Sequence, residues 1–492
     1  MRKLFLLTAT ALITTPAAAA PDTTRAMFER VVNIPTVLGR GKVPEMAQYL
    51  ADQFKVAGWA DADIHVMPYD TTGDKTAALI VRWPAMARKA AKAPIMLMGH
   101  MDVVEAKRED STTDPFALTE KDGYYYGRGT IDMKAGIVGI TQALINLKKS
   151  GFKPRRDIVV FFTGDEETNG FGAEKGATEW RAMMGNPELG LNADGGGVGY
   201  TMDDKPMGAT LQTAEKTFAG YTFTVRNRGG HSSKPRADNA IYQLGHALQR
   251  LEAYKFEPIL SETTRAYFAS RAKIGPAPLT DAINRWLKNP KDAAAADFIE
   301  ADEGEVGLTR TRCVPTRLFG GHADNALPQL ATAMVNCRIF PGIDPNATLA
   351  ELQTIAGSEV KVTRNDDYVA SLSSPLRPDV TAAYTKAVTT LHPGMPIAPE
   401  MSTGASDARP FRVAGIPVYG VGGEWVRVPD DLRAHGKDER LPVKALDDNV
   451  RHWEIMVTEM AGRYLWRKVT KVTLLSNIGR SLLILRTSCK DK

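Results

Sequence analysis

Cysteine is scarce in this 492-residue chain, and its scarcity excludes two classes of protein. The three cysteines, Cys313, Cys337 and Cys489, are too few for a disulfide scaffold. The chain has no Cys-x-x-Cys pair and no zinc-finger spacing of cysteine and histidine. A bound metal would therefore need histidine and carboxylate ligands. A single bridge between Cys313 and Cys337 and a buried free thiol at Cys337 both remain open.

The chain also lacks an apolar run long enough to span a membrane. Its first residues combine a basic start (Arg2, Lys3), a short apolar stretch and the small residues of 17–20, as in a secretory signal. We expect residues 1–20 to be a signal peptide and the mature protein to be secreted or periplasmic. No cysteine follows the apolar stretch, which argues against a lipoprotein anchor. We expect residues 467–492 to be a disordered basic tail, with an amphipathic surface helix as the alternative.

The net charge of +5 reveals little about partners, because it comes from the two ends. Arg2 and Lys3 belong to the expected signal, and seven basic residues stand against one acid after Leu465. The basic excess is not spread over a folded face, so we expect no nucleic-acid partner. A hydrophobic content of 43% and a charged content of 24% are typical of a soluble globular protein.

The order of strand-like and helical segments predicts two domains, one inserted into the other. Residues 21–214 alternate apolar strand-like runs with helical patterns, which indicates an α/β sheet covered by helices. The pattern changes near Lys216: residues 215–369 contain two strand–helix–strand halves, typical of a small α/β sandwich. The first pattern returns in 370–466. We therefore predict an α/β protein with a phosphorylase/hydrolase-like mixed-sheet catalytic domain and helices on both faces of its sheet. A ferredoxin-like α/β sandwich, expected to serve as a dimerisation or lid domain, interrupts it.

Two adjacent acids, Glu166 and Glu167, follow the apolar run 157–162 after the three residues 163–165. Such a run predicts a buried strand, and ligands bind beyond the carboxyl ends of strands in open α/β sheets. Neighbouring side chains on an extended segment point in opposite directions. One acid could therefore hold a metal while the other moves a proton. The alternative is a solvated acidic turn.

Four further segments place metal-type side chains at strand ends or in glycine-rich loops: His100 with Asp102, then Asp132, Asp194 and His435. Each has an ordinary structural alternative. Asp102 could cap a helix beside a strand-end histidine, and Asp132 could cap the helical segment after it. Taken together, two histidines and three carboxylates suit two zinc ions. Two such ions can activate a shared water, and a further acid must then carry the proton.

These motifs occur in the order Gly-His-Met-Asp, Gly-Thr-Ile-Asp-Met-Lys-Ala-Gly, Gly-Asp-Glu-Glu, Ala-Asp-Gly-Gly and His-Gly-x-Asp-Glu. The set resembles the co-catalytic zinc aminoacylase/carboxypeptidase family, which includes succinyl-diaminopimelate desuccinylase and bacterial glutamate carboxypeptidase. The resemblance implies five ligands to two Zn²⁺, replaceable by Co²⁺ or Mn²⁺: a bridging Asp132, His100 and Asp194 on one ion, Glu167 and His435 on the other. It also implies Glu166 as general base, Asp102 as the acid that orients His100, and a cis peptide between Asp132 and Met133.

The resemblance assigns roles in the small domain as well. His231, in a Gly-His-Ser motif, would stabilise the oxyanion in the partner's site of a homodimer. Asn325 and Arg338 would contact the substrate's carbonyl and carboxylate, since arginine pairs with carboxylates through two hydrogen bonds. A structural ion pair is the alternative for Arg338. Gly404 lies in a loop that could present backbone donors to the same carboxylate.

An insert of roughly 257–319 is expected to enlarge the small domain, as in the carboxypeptidase S branch and its fatty-acyl amino-acid hydrolase relatives. The expected function is an exported di-zinc carboxypeptidase or dipeptidase acting on a small peptide. The alternative is an N-acyl-amino-acid deacylase with the same centre. A non-catalytic metal- or peptide-binding protein is the remote alternative.

Overall fold

The computed structural model describes residues 20–86 and 92–462, so the expected tail and residues 1–19 of the expected signal lie outside the described residues. The strands are β1 (Ile64–Thr71), β2 (Asp74–Trp83), β3 (Ile95–His100), β4 (Thr119–Lys121), β5 (Tyr124–Tyr126), β6 (Ile158–Thr163), β7 (Leu189–Thr201), β8 (Pro206–Glu215), β9 (Thr217–Arg226), β10 (Gly230–His231), β11 (Arg312–Gly320), β12 (Ala326–Leu327), β13 (Leu330–Ile339), β14 (Lys361–Arg364), β15 (Ile397–Ser402), β16 (Val418–Val428) and β17 (Arg440–Pro442). The helices are α1 (Thr24–Val32), α2 (Val43–Val56), α3 (Lys134–Lys149), α4 (Phe171–Ala177), α5 (Ala240–Ala253), α6 (Glu262–Arg271), α7 (Ala277–Lys288), α8 (Ala293–Glu300), α9 (Pro345–Ala356), α10 (Pro378–Leu391), α11 (Ala408–Val413) and α12 (Val443–Ala461).

Eight strands form a mixed sheet in the order β1-β2-β6-β3-β7-β16-β8-β15. Strands β3 and β6 are buried along their whole length, which explains their continuous apolar sequences, because helices cover both faces of the sheet. Helices α2, α3 and α12 pack on one face, and α4 and α11 pack on the other. The predicted mixed-sheet α/β domain is confirmed.

The parallel central strands bring the predicted metal-type residues to one edge of this sheet. Strands β3 and β6 are parallel, and His100 pairs with Thr163 at their carboxyl ends. Strand β7, which carries Asp194, runs parallel to β3 on its other side. Residues far apart in sequence therefore meet beyond the same strand ends, as expected for a ligand site in an α/β sheet.

The small sheet is antiparallel, with strand order β11-β13-β9-β14, and helices α5 and α9 cover one of its faces. Buried and less buried residues alternate along strand β9, as expected for a sheet that is covered on one face. Tyr221, Phe223 and Val225 point into the core beneath the helices. This sheet interrupts the strands of the large one, as the inserted α/β sandwich was predicted to do.

The expectation that the whole 257–319 insert enlarges the small domain is wrong. Helices α6, α7 and α8 build a core of their own around Phe268, Ile283 and Trp286, and α6 packs on the edge strand β15 of the large sheet. Thr263 of α6 shares a 2.7 Å hydroxyl hydrogen bond with Thr213 of β8. Only β11 joins the small sheet. Amphipathic periodicity shows that a helix buries one face, but not which surface receives it.

Cys313 and Cys337 face each other across β11 and β13 and form a disulfide bond. Of the two possibilities left open by the sequence, the structure has the bridge. Among the helices of residues 20–86 and 92–462, none combines the length and apolarity needed to cross a bilayer.

Candidate active site

Asp132 lies at the centre of the site, between the two predicted histidine ligands. Its Oδ1 is 3.1 Å from His100 Nε2, and its Oδ2 is 3.0 Å from His435 Nε2. The residue belongs to two groups of possible metal ligands, one with His100 and Asp194 and one with Glu167 and His435. Within each group the ligand atoms lie within 4.8 Å of one another. The five side chains thus form two adjacent three-residue sets that share one carboxylate.

The alternative role of Asp132 as a helix cap is not what the structure shows. The N-cap position of α3 is Met133, and no side chain caps it. The peptide bond between Asp132 and Met133 is cis, as the resemblance implies. Instead of capping the helix, the Asp132 carboxylate faces the two imidazole rings.

His100 is fixed at the end of β3 by a contact at each ring nitrogen. Its Nδ1 lies 3.0 Å from the main-chain carbonyl of Asp102, which leaves Nε2 towards Asp132. The Asp102 carboxylate is farther from the ring, at 3.6 Å. It accepts hydrogen bonds from the backbone N–H groups of Glu166 (3.2 Å) and Glu167 (3.0 Å). Asp102 therefore orients the histidine through its carbonyl and the acidic pair through its carboxylate.

Glu439 is a residue of this site to which the sequence analysis gave no role. Its buried carboxylate accepts hydrogen bonds from the backbone N–H groups of Gly129 (3.1 Å), Ile131 (2.8 Å) and Asp132 (3.1 Å). It also pairs with the Arg128 guanidinium at 2.6 Å. Glu439 therefore holds the loop of the shared carboxylate to the segment that carries the second histidine. Its presence in the His-Gly-x-Asp-Glu motif was the available signal.

Two acids of this cluster, Glu166 and Asp194, hold their protons unusually strongly. Burial raises the pKa of Glu166 well above its ordinary value, and the nearby carboxylates of Asp194 and Asp407 add to the effect. Burial also raises the pKa of Asp194 to about 7. In both cases the charge of His100 acts in the opposite direction. A group of carboxylates this crowded needs positive charge to be ionised together, and a divalent cation would supply it.

The pKa values of the two histidines are also raised, but neighbouring carboxylates rather than burial are the cause. Hydrogen bonds to Asp132 and Glu167 raise the pKa of His435 to about 10, although burial opposes the charged form. Burial likewise opposes the charged form of His100, but the nearby carboxylates of Asp102 and Asp132 raise its pKa. The same contacts lower the pKa of Asp132 against the effect of its burial. Protons therefore lie between ring nitrogens and carboxylate oxygens that could also bind a metal ion. Binding of the metal would release these protons.

Two more buried acids support the loops around the site. Asp165 accepts hydrogen bonds from the Tyr69 hydroxyl at 2.6 Å and from the N–H groups of Phe171 (2.9 Å) and Gly172 (3.0 Å). Asp407 accepts a hydrogen bond from the hydroxyl of Thr163 at the end of β6. The acidic Gly-Asp-Glu-Glu motif signalled the first of these, whereas no sequence pattern signalled the second.

His231 and Asn325 come together in the short ribbon of β10 and β12. Strands β10 and β12 pair, and the Ser232 N–H donates to the Asn325 carbonyl at 3.0 Å. His231 Nδ1 accepts from the Ser233 hydroxyl at 2.8 Å, and both His231 and Asn325 are exposed. In the described part of the chain, His231 belongs to no group of possible metal ligands. Their predicted roles remain predictions.

The predicted substrate-binding roles of Arg338 and Gly404 also remain predictions, and the structure shows the surroundings of both residues. Arg338 lies half-buried on β13, with its guanidinium 5.1 Å from the centre of the Phe218 ring. Among the residues that the structure describes, no carboxylate lies within 4.0 Å of it, so the alternative of a structural ion pair is not observed. The Gly404 N–H donates to the Ser402 hydroxyl at 3.0 Å, so this donor already has a partner within its own loop.

The fold and the donor set together define a metal-dependent hydrolase, and sequence comparison identifies its family. Residues 96–459 match the model of the peptidase family M20/M25/M40. The chain belongs to this family and is a hydrolytic metallopeptidase. The family resemblance stated from the ordered motifs is confirmed.

Relatives of known sequence and structure fall in the same group. The chain is 30% identical to the N-fatty-acyl-amino acid synthase/hydrolase PM20D1 of Xenopus tropicalis, over 72% of this chain and 70% of that protein. It is 26% identical to the probable carboxypeptidase S-like 2 of Dictyostelium discoideum, over 75% and 71%. The M20 family metallo-carboxypeptidase Sso-CP2 of Sulfolobus solfataricus has the same fold, with a TM-score of 0.65 and 17% identity over 89% of this chain and 98% of that one.

Proposed function

We propose that the protein is a two-zinc hydrolase that cleaves an amide bond next to a free carboxylate, as a carboxypeptidase or dipeptidase. The observation that carries the proposal is the sharing of Asp132 between two ligand groups. The donor set consists of two imidazoles and three carboxylates, which suits zinc, with Co²⁺ or Mn²⁺ as substitutes. When bound, a pair of such ions supplies an activated water and polarises a carbonyl.

Glu166 is the residue to which we assign the proton transfer. It adjoins the ligand cluster, and its raised pKa suits a group that takes a proton from water and delivers it to the leaving amine. Asp102 holds the backbone of Glu166 in place through the 3.2 Å hydrogen bond. A third ligand-type group joins Glu166 to His100 and Glu167, so the base and ligand roles of this residue must be separated by experiment.

We assign recognition of the substrate to the small domain. Arg338 would pair with the substrate's carboxylate, Asn325 would contact its carbonyl, and the Gly404 loop would border the carboxylate. His231 would act on the site of a second copy, in a homodimer. The edge strand β11 supports self-association, because among the described strands it pairs with β13 alone and it exposes Val314, Leu318 and Phe319.

The relatives favour a second candidate substrate class, N-acyl amino acids, because one of them is named as an N-fatty-acyl-amino acid synthase/hydrolase. A substrate panel separates the two classes: dipeptides, N-acetyl amino acids and long-chain N-acyl amino acids, each with a free and an amidated C-terminus. The proposal predicts turnover of dipeptides with a free carboxylate and little turnover of the amidated forms. Equal turnover of both forms would contradict it, and a preference for long acyl chains would favour the second candidate.

We also propose that the protein is exported. The disulfide between Cys313 and Cys337 supports this location, since such bonds persist in oxidising compartments. Cell fractionation of the source organism with a tagged chain tests the proposal, and recovery from the cytoplasm alone would contradict it.

A further inference from the structure

Two arginines of the small sheet lie directly opposite each other on neighbouring strands. Arg312 of β11 pairs in register with Arg338 of β13. The next pair along the strands, Cys313 and Cys337, packs towards the helix-covered core. Because side chains alternate between faces, both arginines lie on the uncovered face. Like charges at directly opposite positions destabilise a sheet, so this pair needs a source of negative charge.

A third cation adjoins this pair. Lys216 connects the large sheet to the small one, between β8 and β9, and its side chain is fully buried. Its Nζ donates to the carbonyl of Arg310 at 2.6 Å. Burial lowers the pKa of Lys216 to about 8, with Glu300 acting against the shift and both Arg312 and Arg338 adding to it.

The acids near these three cations do not balance them. The Arg310 guanidinium has its own partner, Asp297, at 2.9 Å. Glu300 lies 3.6 Å from Arg312, beyond hydrogen-bonding distance. Its oxygens accept hydrogen bonds from Gly307 and Thr309 instead.

Arg338 has no carboxylate within 4.0 Å in residues 20–86 and 92–462, and burial lowers its pKa. Within the described residues, Glu300 is thus the carboxylate that acts on Lys216 and Arg312, and Arg338 has none within 4.0 Å. The cluster carries an excess of two positive charges, which favours an anionic ligand.

The cluster borders the loop that we assign to the substrate. A Cβ atom at Gly307 would lie 3.4 Å from both Lys216 Nζ and the Thr403 methyl group. That loop is fixed to the large sheet by Ser406, whose hydroxyl donates to Glu215 at 2.7 Å, and by the contact of Asp407 with Thr163. The cations therefore lie next to a loop that is anchored beside the metal-ligand edge of the sheet.

We propose that Arg312 and Arg338 form a subsite for two carboxylates, so that the amino acid released by the enzyme is acidic, with a side chain of the glutamate type. This inference rests on the function proposed above. Arg338 pairs with the α-carboxylate, and Arg312 pairs with the side-chain carboxylate. Together the two anions neutralise the positive excess, and each guanidinium offers the paired donors that a carboxylate accepts.

Binding of L-glutamate and L-glutamine to the full-length zinc-loaded protein tests the subsite without requiring catalysis. The two ligands have nearly the same shape and differ in one negative charge. We expect calorimetry to show that glutamate binds at least about tenfold more tightly than glutamine, because a hydrogen bond to a charged group contributes about that much to affinity. The variant Arg312→Gln should lose this preference while keeping its glutamine affinity, and Arg312→Lys should keep part of it.

The control is Arg317→Gln, an exposed arginine of the same edge strand that stacks on Phe319. It should leave the glutamate preference unchanged. Equal binding of the two amino acids by the wild-type protein, no measurable binding of either, or a preference that survives in Arg312→Gln would each overturn the subsite.

Kinetics on the same variants separate this inference from the proposed function. If the protein hydrolyses Ala-Glu and Ala-Leu with equal kcat/KM, the subsite is wrong and the hydrolase function stands. If glutamate binds preferentially but no peptide or N-acyl amino acid is hydrolysed, the subsite stands and the proposed function fails. Loss of preference in Arg312→Gln should appear as at least about a tenfold drop in kcat/KM for Ala-Glu and little change for Ala-Leu.

Discussion

The carboxyl edge of the large sheet and the uncovered face of the small sheet carry opposite charge. At the large sheet, carboxylates crowd around two histidines, and burial raises the pKa values of Glu166 and Asp194. At the small sheet, Arg312 and Arg338 lie opposite each other with little negative charge nearby. The first region suits cations and the second suits anions. The proposed function, hydrolysis of substrates that carry a free carboxylate, uses both.

The two regions also differ in how firmly their side chains are held. Glu439 and Asp102 hold the backbone around the metal ligands through several hydrogen bonds. His231 and Asn325, in contrast, are exposed and are held mainly by neighbours in their own short ribbon. Groups that hold a metal must be positioned in advance, whereas groups that meet a substrate can be completed by the substrate or by a second copy.

Removal of the metals should have the largest effect, because it breaks the first region and leaves the second intact. Chelation should abolish hydrolysis and should also make stability depend on pH. The native pKa values of Asp194 (about 7) and His435 (about 10) lie above their ordinary values of 3.8 and 6.5. Between those values the native state binds more protons than the unfolded state, so the unfolding free energy of the metal-free protein falls as pH rises.

Calorimetry at pH 5.5, 7 and 8.5, with and without chelator, measures this dependence. The gap in Tm between metal-loaded and metal-free protein should widen as pH rises, since metal binding requires the deprotonated ligands. A gap in Tm that stays constant or narrows would show that Asp194 and His435 are not protonated in the metal-free protein.

Replacing Glu166 with Gln tests whether proton transfer and metal binding are separate functions of the acidic pair. We expect kcat to fall by about 10²–10⁴-fold, with both metals retained, because the amide cannot accept the proton. The matched variant Glu167→Gln should lose about one equivalent of metal. Metal content by mass spectrometry and single-turnover kinetics distinguish the two variants. Loss of metal in Glu166→Gln would instead make Glu166 a ligand.

A smaller effect is expected from Glu439→Gln, which changes a residue that holds the ligands without contacting a metal. The new amide nitrogen would face backbone N–H groups, so the Asp132 loop should lose part of its support. Metal affinity should fall by about 10–100-fold, as measured by competition with a chelating dye. Glu303→Gln, at an exposed acid three residues after the end of α8, is the control. Unchanged affinity in Glu439→Gln would show that the loop holds its position alone.

The smallest effect on the chemistry should come from the disulfide of the small domain. The double variant Cys313→Ala/Cys337→Ala removes a bridge between residues separated by 24 positions. It should lower the unfolding free energy by about 2–4 kcal/mol, measured by denaturant titration. Metal content should not change, because the bridge lies in the other domain. A loss of metal would show that the two regions are more tightly coupled than their separate cores indicate.

Much of the fold and the candidate ligand set could be predicted from local pattern. Strand β6 was recognisable from its apolar run, and strand β9 from its alternation, because burial on two faces or one face imposes those periods. His100, Asp132, Glu167, Asp194 and His435 stood out because they occupy strand ends or glycine-rich loops. The placement of helices α6 to α8 could not be predicted in the same way, since many surfaces can receive an apolar helix face.

The sequence by itself determined which side chains could hold metals and where the strands end, because residue type and hydrophobic period are local properties. Tertiary structure decided which of them meet. Asp132 faces His100 and His435 only because parallel strands and a distant loop converge. The backbone support from Glu439 spans 307 positions, and the pairing of Arg312 with Arg338 depends on strand register. Such contacts depend on how separate elements pack, and no local pattern carries that information.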